Sequence, residues 1–208
     1  PLLGVGGVQL FKAEVPGPVA DKIKPRVRET AKWLWMIYVG MTLIEALALM
    51  IAGMSIFDSI CHAFTTMPTG GFSTKNASIA HYDNSAIHFI IIFFMFIAGI
   101  NFSLHFRMLN GDFKTLIKNT EFLVYVMIII IVTFIVFLTI ITKGNTEYYK
   151  SFSESLFNVV AILTTTGYVL GDYELWPVFL QMILLTLMFI GGMGGSTAGG
   201  MKVMRIIL

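Results

Sequence analysis

Apolar residues along this chain gather into four blocks, at about 31–52, 87–106, 122–142 and 175–190, separated by segments carrying the polar residues. A helix needs roughly 20 apolar residues to cross the hydrocarbon core of a bilayer, so each block predicts a membrane span. The first block holds one internal acid, Glu45, and the second holds the uninterrupted run IIIFFMFIAG. The third has no charged residue, and the fourth dissolves after Ile190 into GGMGGSTAGG. None has the charged flank and cleavage site of a secretory signal. Pro1 and the apolar run at Leu208 read as cut ends.

The segments after the first and third blocks repeat one another without a gap at an offset of 96 residues. SIFDSICHAFTTMPTGGF lies over SFSESLFNVVAILTTTGY, pairing Ser55 with Ser151, Asp58 with Glu154, Thr69 with Thr165, Gly71 with Gly167 and Phe72 with Tyr168. Further on, the same register brings Gly99 onto Gly195. The coinciding letters are the polar ones and the glycines, which two unrelated apolar stretches would not share. Ser55-x-x-Asp58 and Ser151-x-x-Glu154 look like capping boxes, each predicting a helix start. A helix over 56–67 is about 18 Å long, too short to cross roughly 30 Å of hydrocarbon. Pro68-Thr69-Gly70-Gly71 then breaks it. The fold expected is an all-α integral membrane chain of two tandem units, each a span, a short pore helix, a re-entrant Thr/Gly loop and a second span. The units run over 31–106 and 122–208, preceded by a segment at 1–30 and joined by a loop at 107–121.

Composition agrees: 56% of residues are hydrophobic and 12% charged, against about 25% charged in a typical soluble domain, and mean hydropathy is +0.81. The formal net charge of +2 gives no basis for nucleic-acid binding. Position matters more than the total, because cytoplasmic loops collect Lys and Arg. Eleven of the fourteen basic residues fall before the first span, between the second and third, or at the C-terminal end, leaving Lys75, Lys143 and Lys150 on the other side. The segment 1–30 and the 107–121 loop are therefore expected in the cytoplasm, and the Thr/Gly loops face outward.

Non-helical backbone at membrane depth persists only where protein buries it or where it lines a wet cavity. A short helix aims the negative end of its dipole at the loop that follows. Carbonyls of a Thr/Gly segment can replace a cation's hydration shell, glycine tolerating the dihedrals that aim neighbouring carbonyls alike. The threonine hydroxyls add acceptors, and Phe72 and Tyr168 are placed to brace the strands from behind. These dipoles suit a cation. No Ser/His/Asp arrangement or paired carboxylates point to catalysis, and Cys61 is alone.

TTMPTGGFST, ILTTTGYVLGDYELWP, GGMGGSTAGGMKV, AGINFSLHFR and GVGGVQLFKAEVPGP together resemble the bacterial Trk/Ktr superfamily of potassium-transporting membrane subunits, in its Trk branch. That resemblance implies four membrane–pore–membrane repeats around one pore, of which this chain carries the second and third, half of the ring. It implies a potassium filter at Thr69, Gly70, Gly71 and Phe72 with Thr165, Thr166, Gly167 and Tyr168, and potassium preference from the glycines at 71 and 167. It implies K⁺ as the transported ion without a cofactor, the inner membrane of a bacterium, a homodimer, and a cytosolic nucleotide-binding regulatory ring as partner.

The stretch Gly191, Gly192, Gly194, Gly195, Ser196, Thr197, Gly199 and Gly200 lacks the Lys-Ser/Thr that a phosphate-binding loop needs. It fits a GxxxG helix seam through Gly191, Gly195 and Gly199, or a break in the last span. Folded below the filter, such a break is the gate that the resemblance implies. Glu45 admits an ion-path or subunit-contact role or a hydrogen bond to a neighbouring helix. Asn101 and His105, spaced as neighbours on one helix face, suggest interhelix hydrogen bonding or an interface anchor. Asp58 and Glu154 admit cation enrichment at the outer mouth or plain capping. Two other readings of the chain are a symporter with a midplane site, which inverted repeats would mark, and a non-conducting assembly subunit.

Overall fold

The computed structural model describes residues 27–142 and 147–207. The expected cytoplasmic segment 1–30 falls almost wholly outside the described residues, as do GVGGVQLF and Lys143. The described chain is helical throughout, with no strand.

Helix α1 (Val27–Ile51) is followed by α2 (Ile56–Thr66), a 3₁₀ turn at Ser78–His81, α3 (Ser85–Ala98) and α4 (Phe102–Leu109). A short α5 (Phe113–Lys118) leads into α6 (Thr120–Thr142). Then come α7 (Tyr148–Leu163), a 3₁₀ turn at Tyr173–Leu175, α8 (Val178–Ile190) and α9 (Val203–Ile207). Among the described residues α1 and α6 are long and apolar enough to cross a membrane, and α3 with α4 adds a third candidate only as a bent pair. At 13 residues α8 is shorter than the fourth expected span.

The second expected span is the largest departure. The helix stops at Ala98 and resumes at Phe102 on an axis turned by 102°. The sequence of the break explains it. Gly99 caps α3, and the Asn101 side chain accepts from the Ser103 amide at 2.8 Å, starting a new helix instead of continuing the old one. Asn101 and His105 therefore do not share a helix face: Asn101 is a cap, and a His105 ring nitrogen lies 3.0 Å from the Ile97 carbonyl, tying α4 back to α3.

The two short helices also start differently. Ser55 caps α2 as expected, its hydroxyl accepting from the Asp58 amide at 3.1 Å. In the second unit α7 begins at Tyr148, so Ser151 lies inside the first turns and not at the cap, and the capping-box reading fails there.

The core gathers around α7, which packs between α6 and α8 of its own unit and α3 of the first. From Phe157 to Leu163 every residue of α7 is buried. Helix α2 packs mainly on α1 and leaves Ile56, Phe57 and Phe64 exposed. The same motif is thus enclosed in one unit and half-open in the other.

Candidate functional site

Each short helix ends in the same backbone turn. Thr69 has φ 56° and Thr165 has φ 57°, and among the described non-glycine residues only Ser78 shares this left-handed region. Two residues on, Gly71 has φ 66° and Gly167 φ 79°. The hydrogen bonds repeat as well. The Thr69 amide donates to the Thr66 carbonyl at 2.9 Å, and the Thr165 amide to the Ile162 carbonyl at 3.0 Å. The Gly71 amide donates to the Thr65 carbonyl at 3.1 Å, and the Gly167 amide to the Ala161 carbonyl at 3.0 Å. Every pair is separated by the 96-residue offset. A β-branched residue in a left-handed conformation costs on the order of 1–3 kcal/mol and persists only where its surroundings over-determine it.

The two turns meet. A Cβ at Gly71 would fall on the Thr166 carbonyl oxygen and lie 2.8 Å from its carbonyl carbon. Only glycine lets the first strand pass so close to the second. Gly167 faces open space instead: a Cβ there would meet nothing within 4 Å. Thr166 is buried beside Thr164, their hydroxyl oxygens 2.8 Å apart.

The two aromatics behave differently. Tyr168 is only 2% exposed, and its hydroxyl sits 2.6 Å from that of Thr65 and donates to the His62 carbonyl at 3.2 Å. Thr65 in turn donates to the Phe72 carbonyl at 2.8 Å. Phe72 is 77% exposed, with its ring beside Gly70.

Behind each strand stands a polar staple that sequence reasoning missed. A ring nitrogen of buried His62 lies 2.9 Å from the Ser73 hydroxyl, just beyond the first turn. Its counterpart 96 residues later is Asn158, whose side chain donates to the Leu170 carbonyl at 2.7 Å and accepts from the Leu170 amide at 3.3 Å. The offset contained the signal, since it laid one polar residue over another inside two apolar helices. Asp58 completes the first staple: it accepts from Thr74 at 2.6 Å and pairs with Lys75 at 3.1 Å. The Thr74 hydrogen bond, aided by Ser55 and Lys75, holds its carboxyl well below the usual range. That carboxylate is occupied by structural partners. Glu154 lies over Gly171, at 3.1 Å from a Cβ position there.

The glycine stretch is a loop under both turns. Helix α8 ends at Ile190, and Gly191 takes φ 75° with its Cβ position blocked by the Gly199 carbonyl. Because Gly191, Gly195 and Gly199 are not on a helix, the GxxxG seam is excluded. Thr69 donates to the Thr197 carbonyl at 3.0 Å, and the Thr197 hydroxyl donates to the Met67 carbonyl at 2.8 Å. The Gly199 amide donates to the Thr165 hydroxyl at 2.6 Å. Both left-handed threonines therefore turn their hydroxyls toward the loop. The loop also reaches the break in the first unit: the Met193 amide donates to the Gly99 carbonyl at 2.9 Å and the Phe102 amide to the Gly195 carbonyl at 3.1 Å. Ser196 closes its own turn on the Met193 carbonyl. Glu45 is fully buried in α1, where Thr66 of the neighbouring α2 interacts with its carboxyl, although neither oxygen makes a close hydrogen bond among the described residues.

A family model described as TrkH, a cation transport protein, matches residues 1–208. The chain belongs to the TrkH family. It is 44% identical over 213 residues to the Trk system potassium uptake protein TrkH of Vibrio parahaemolyticus, covering 100% of this chain and 44% of that protein. TrkH of Escherichia coli K12 gives the same identity and coverage, and the TrkG protein of that strain is 33% identical over 210 residues, covering 100% of this chain and 43% of TrkG. The crystal structure of the potassium transporter TrkH from V. parahaemolyticus superposes with a TM-score of 0.87 at 39% identity, covering 98% of this chain and 43% of that one. The TrkH-family chain thus spans less than half the length of these relatives. Family and apolar helices together make it part of a bacterial membrane protein.

Proposed function

We propose that this chain supplies two walls of a potassium pathway, with the strands 69–72 and 165–168 as filter and the loop 191–200 as its gate. The observation that carries the reading is the duplicated turn: two short helices end in strands with left-handed residues at the same two positions and the same two hydrogen bonds. Left-handed residues at alternate positions allow successive carbonyls to share one side of a strand, where they can replace the water around a dehydrated cation. The hydroxyls of Thr69 and Thr165 are engaged by the loop, so the backbone carbonyls do the coordinating. K⁺ as the ion follows from relatives named potassium uptake proteins.

The loop supports a gating role by its position. It is bonded to both turns from the side of the 102° break. Three hydrogen bonds hold its tip to the turns, so its displacement is a local event. Among the described residues Arg28, Lys32, Arg107, Lys114, Lys118, Lys202 and Arg205 fall on the side assigned to the cytoplasm, against Lys75 and Lys150 outside. The exposed faces of α2 and Phe72 suit the two repeats that the longer relatives have room for. A second copy and a cytosolic nucleotide-binding ring belong to the same proposal.

Thallium, a heavy K⁺ analogue, tests the filter in crystals of the complete protein. Anomalous peaks beside the carbonyls of 69–71 and 165–167 are expected; thallium bound elsewhere, with none there, would contradict the reading.

A further inference from the structure

Glu121 sits in the first turn of α6, where an acid ordinarily serves its own helix dipole. Its carboxylate instead reaches across to the glycine loop. One oxygen accepts from the Gly194 amide at 2.7 Å and from the Met204 amide at 3.2 Å. Those amides bracket the loop: Gly194 stands just after it leaves α8, and Met204 lies in α9, just after it returns. The same neck is closed by Met201 donating to the Phe189 carbonyl at 2.9 Å and Val203 donating to the Gly192 carbonyl at 3.1 Å. Lys202 bonds the Ala198 carbonyl within the loop.

The loop therefore has two attachments of different kinds. Its tip rests on neutral threonine hydroxyls and carbonyls. Its neck is held by an acid from a different helix. Hydrogen bonds to an ionisable acceptor of this kind are stronger than neutral ones, and a single oxygen serving both ends keeps them together. Resting on the pore reading above, we propose that Glu121 is a positioning residue that sets the resting, path-blocking position of the glycine loop. Released from it, the neck keeps the backbone bonds of Met201 to Phe189 and of Val203 to Gly192 but loses the clamp between Gly194 and Met204, and the tip shifts out of alignment with Met67, Thr69 and Thr165.

The test uses the complete protein reconstituted in lipid vesicles, reading basal K⁺ flux, single-channel open fraction and the K⁺/Na⁺ permeability ratio. Glu121→Ala is expected to raise the basal open fraction about tenfold or more, with the permeability ratio unchanged because the filter strands are untouched. Glu121→Gln keeps the volume and one neutral acceptor, so a smaller rise is expected, and this variant decides the matter if alanine impairs assembly. A parent that passes K⁺ selectively while the variants keep or lower its open fraction overturns the latch alone. A parent with no K⁺-selective flux overturns the pore reading and the latch with it.

Discussion

The Tyr168 hydroxyl lies 2.6 Å from the Thr65 hydroxyl, joining the end of the second Thr/Gly segment to the helix that delivers the first. The bond spans 103 residues of sequence and fixes the distance between the two strands at a point where both are buried or half-buried. Tyr168→Phe removes it, together with the contacts of the same hydroxyl to the His62 carbonyl and the Thr66 hydroxyl, while keeping the ring. Each buried hydrogen bond lost costs about 1 kcal/mol. The K⁺/Na⁺ permeability ratio of the complete protein is expected to fall severalfold. Phe72→Leu at the exposed counterpart tests whether the brace is specific to the second strand of this pair; a fall for Tyr168→Phe with none for Phe72→Leu is the expected contrast in reversal-potential measurements.

His62 and Asn158 hold the strands after their turns at equivalent positions. Replacing His62 by Ala leaves the Ser73 hydroxyl without that partner and opens a buried space. A destabilisation of about 1–3 kcal/mol is expected, with His62→Asn, which restores the residue type of the second unit, losing less. Thermal unfolding of the detergent-solubilised complete protein measures the order; equal melting temperatures for parent and His62→Ala would contradict the staple.

The Asp58 carboxyl is held below its ordinary value, first by Thr74 and further by Ser55 and Lys75. A depressed folded-state pKa means that its stabilisation is complete above the unfolded value of about 4 and is lost as pH falls below it. Stability of the parent should therefore drop on acidification from pH 4 downward, and Asp58→Asn should be less stable than the parent at pH 7 yet flatter in that acid range. Parallel melting curves at both ends of the range for the two proteins would sink this assignment.

Thr197 donates to the Met67 carbonyl at 2.8 Å and to the Ala98 carbonyl at 3.1 Å, fastening the loop tip to both halves of the first unit. Thr197→Val keeps the shape and removes both bonds. Basal K⁺ flux through the complete protein is expected to rise several-fold, with selectivity preserved. Stopped-flow flux from vesicles reports it, and unchanged flux would count against a loop held by its tip.

The first and third spans and the duplication were legible because both are linear patterns: apolar length, and letters recurring at a fixed offset. That offset carried over to backbone geometry, with Thr69 and Thr165 within a degree of one another in φ. The break at 99–101 was not legible, because IIIFFMFIAG runs into it without losing hydropathy and the turn depends on Asn101 capping α4. The start of α7 was misplaced because Ser151 mimics a cap that three more helical residues make redundant. The asymmetry between exposed Phe72 and buried Tyr168 reflects which neighbours each unit has, a tertiary fact. Glu121 reads as a helix-start acid in any sequence. Only the returning loop reveals that its partners lie 73 and 83 residues away.

Gly167 is the sharpest probe of the proposed filter. Its left-handed φ of 79° is strained for any side chain, while the space around it is open, so a serine perturbs the strand without a collision. Gly71→Ser, by contrast, drives a side chain into the Thr166 carbonyl. The decisive measurement is the K⁺/Na⁺ permeability ratio of the complete protein carrying Gly167→Ser against the parent. A potassium filter lined by these carbonyls predicts a fall of about tenfold; an unaltered ratio, with the variant folded and conducting, would contradict it.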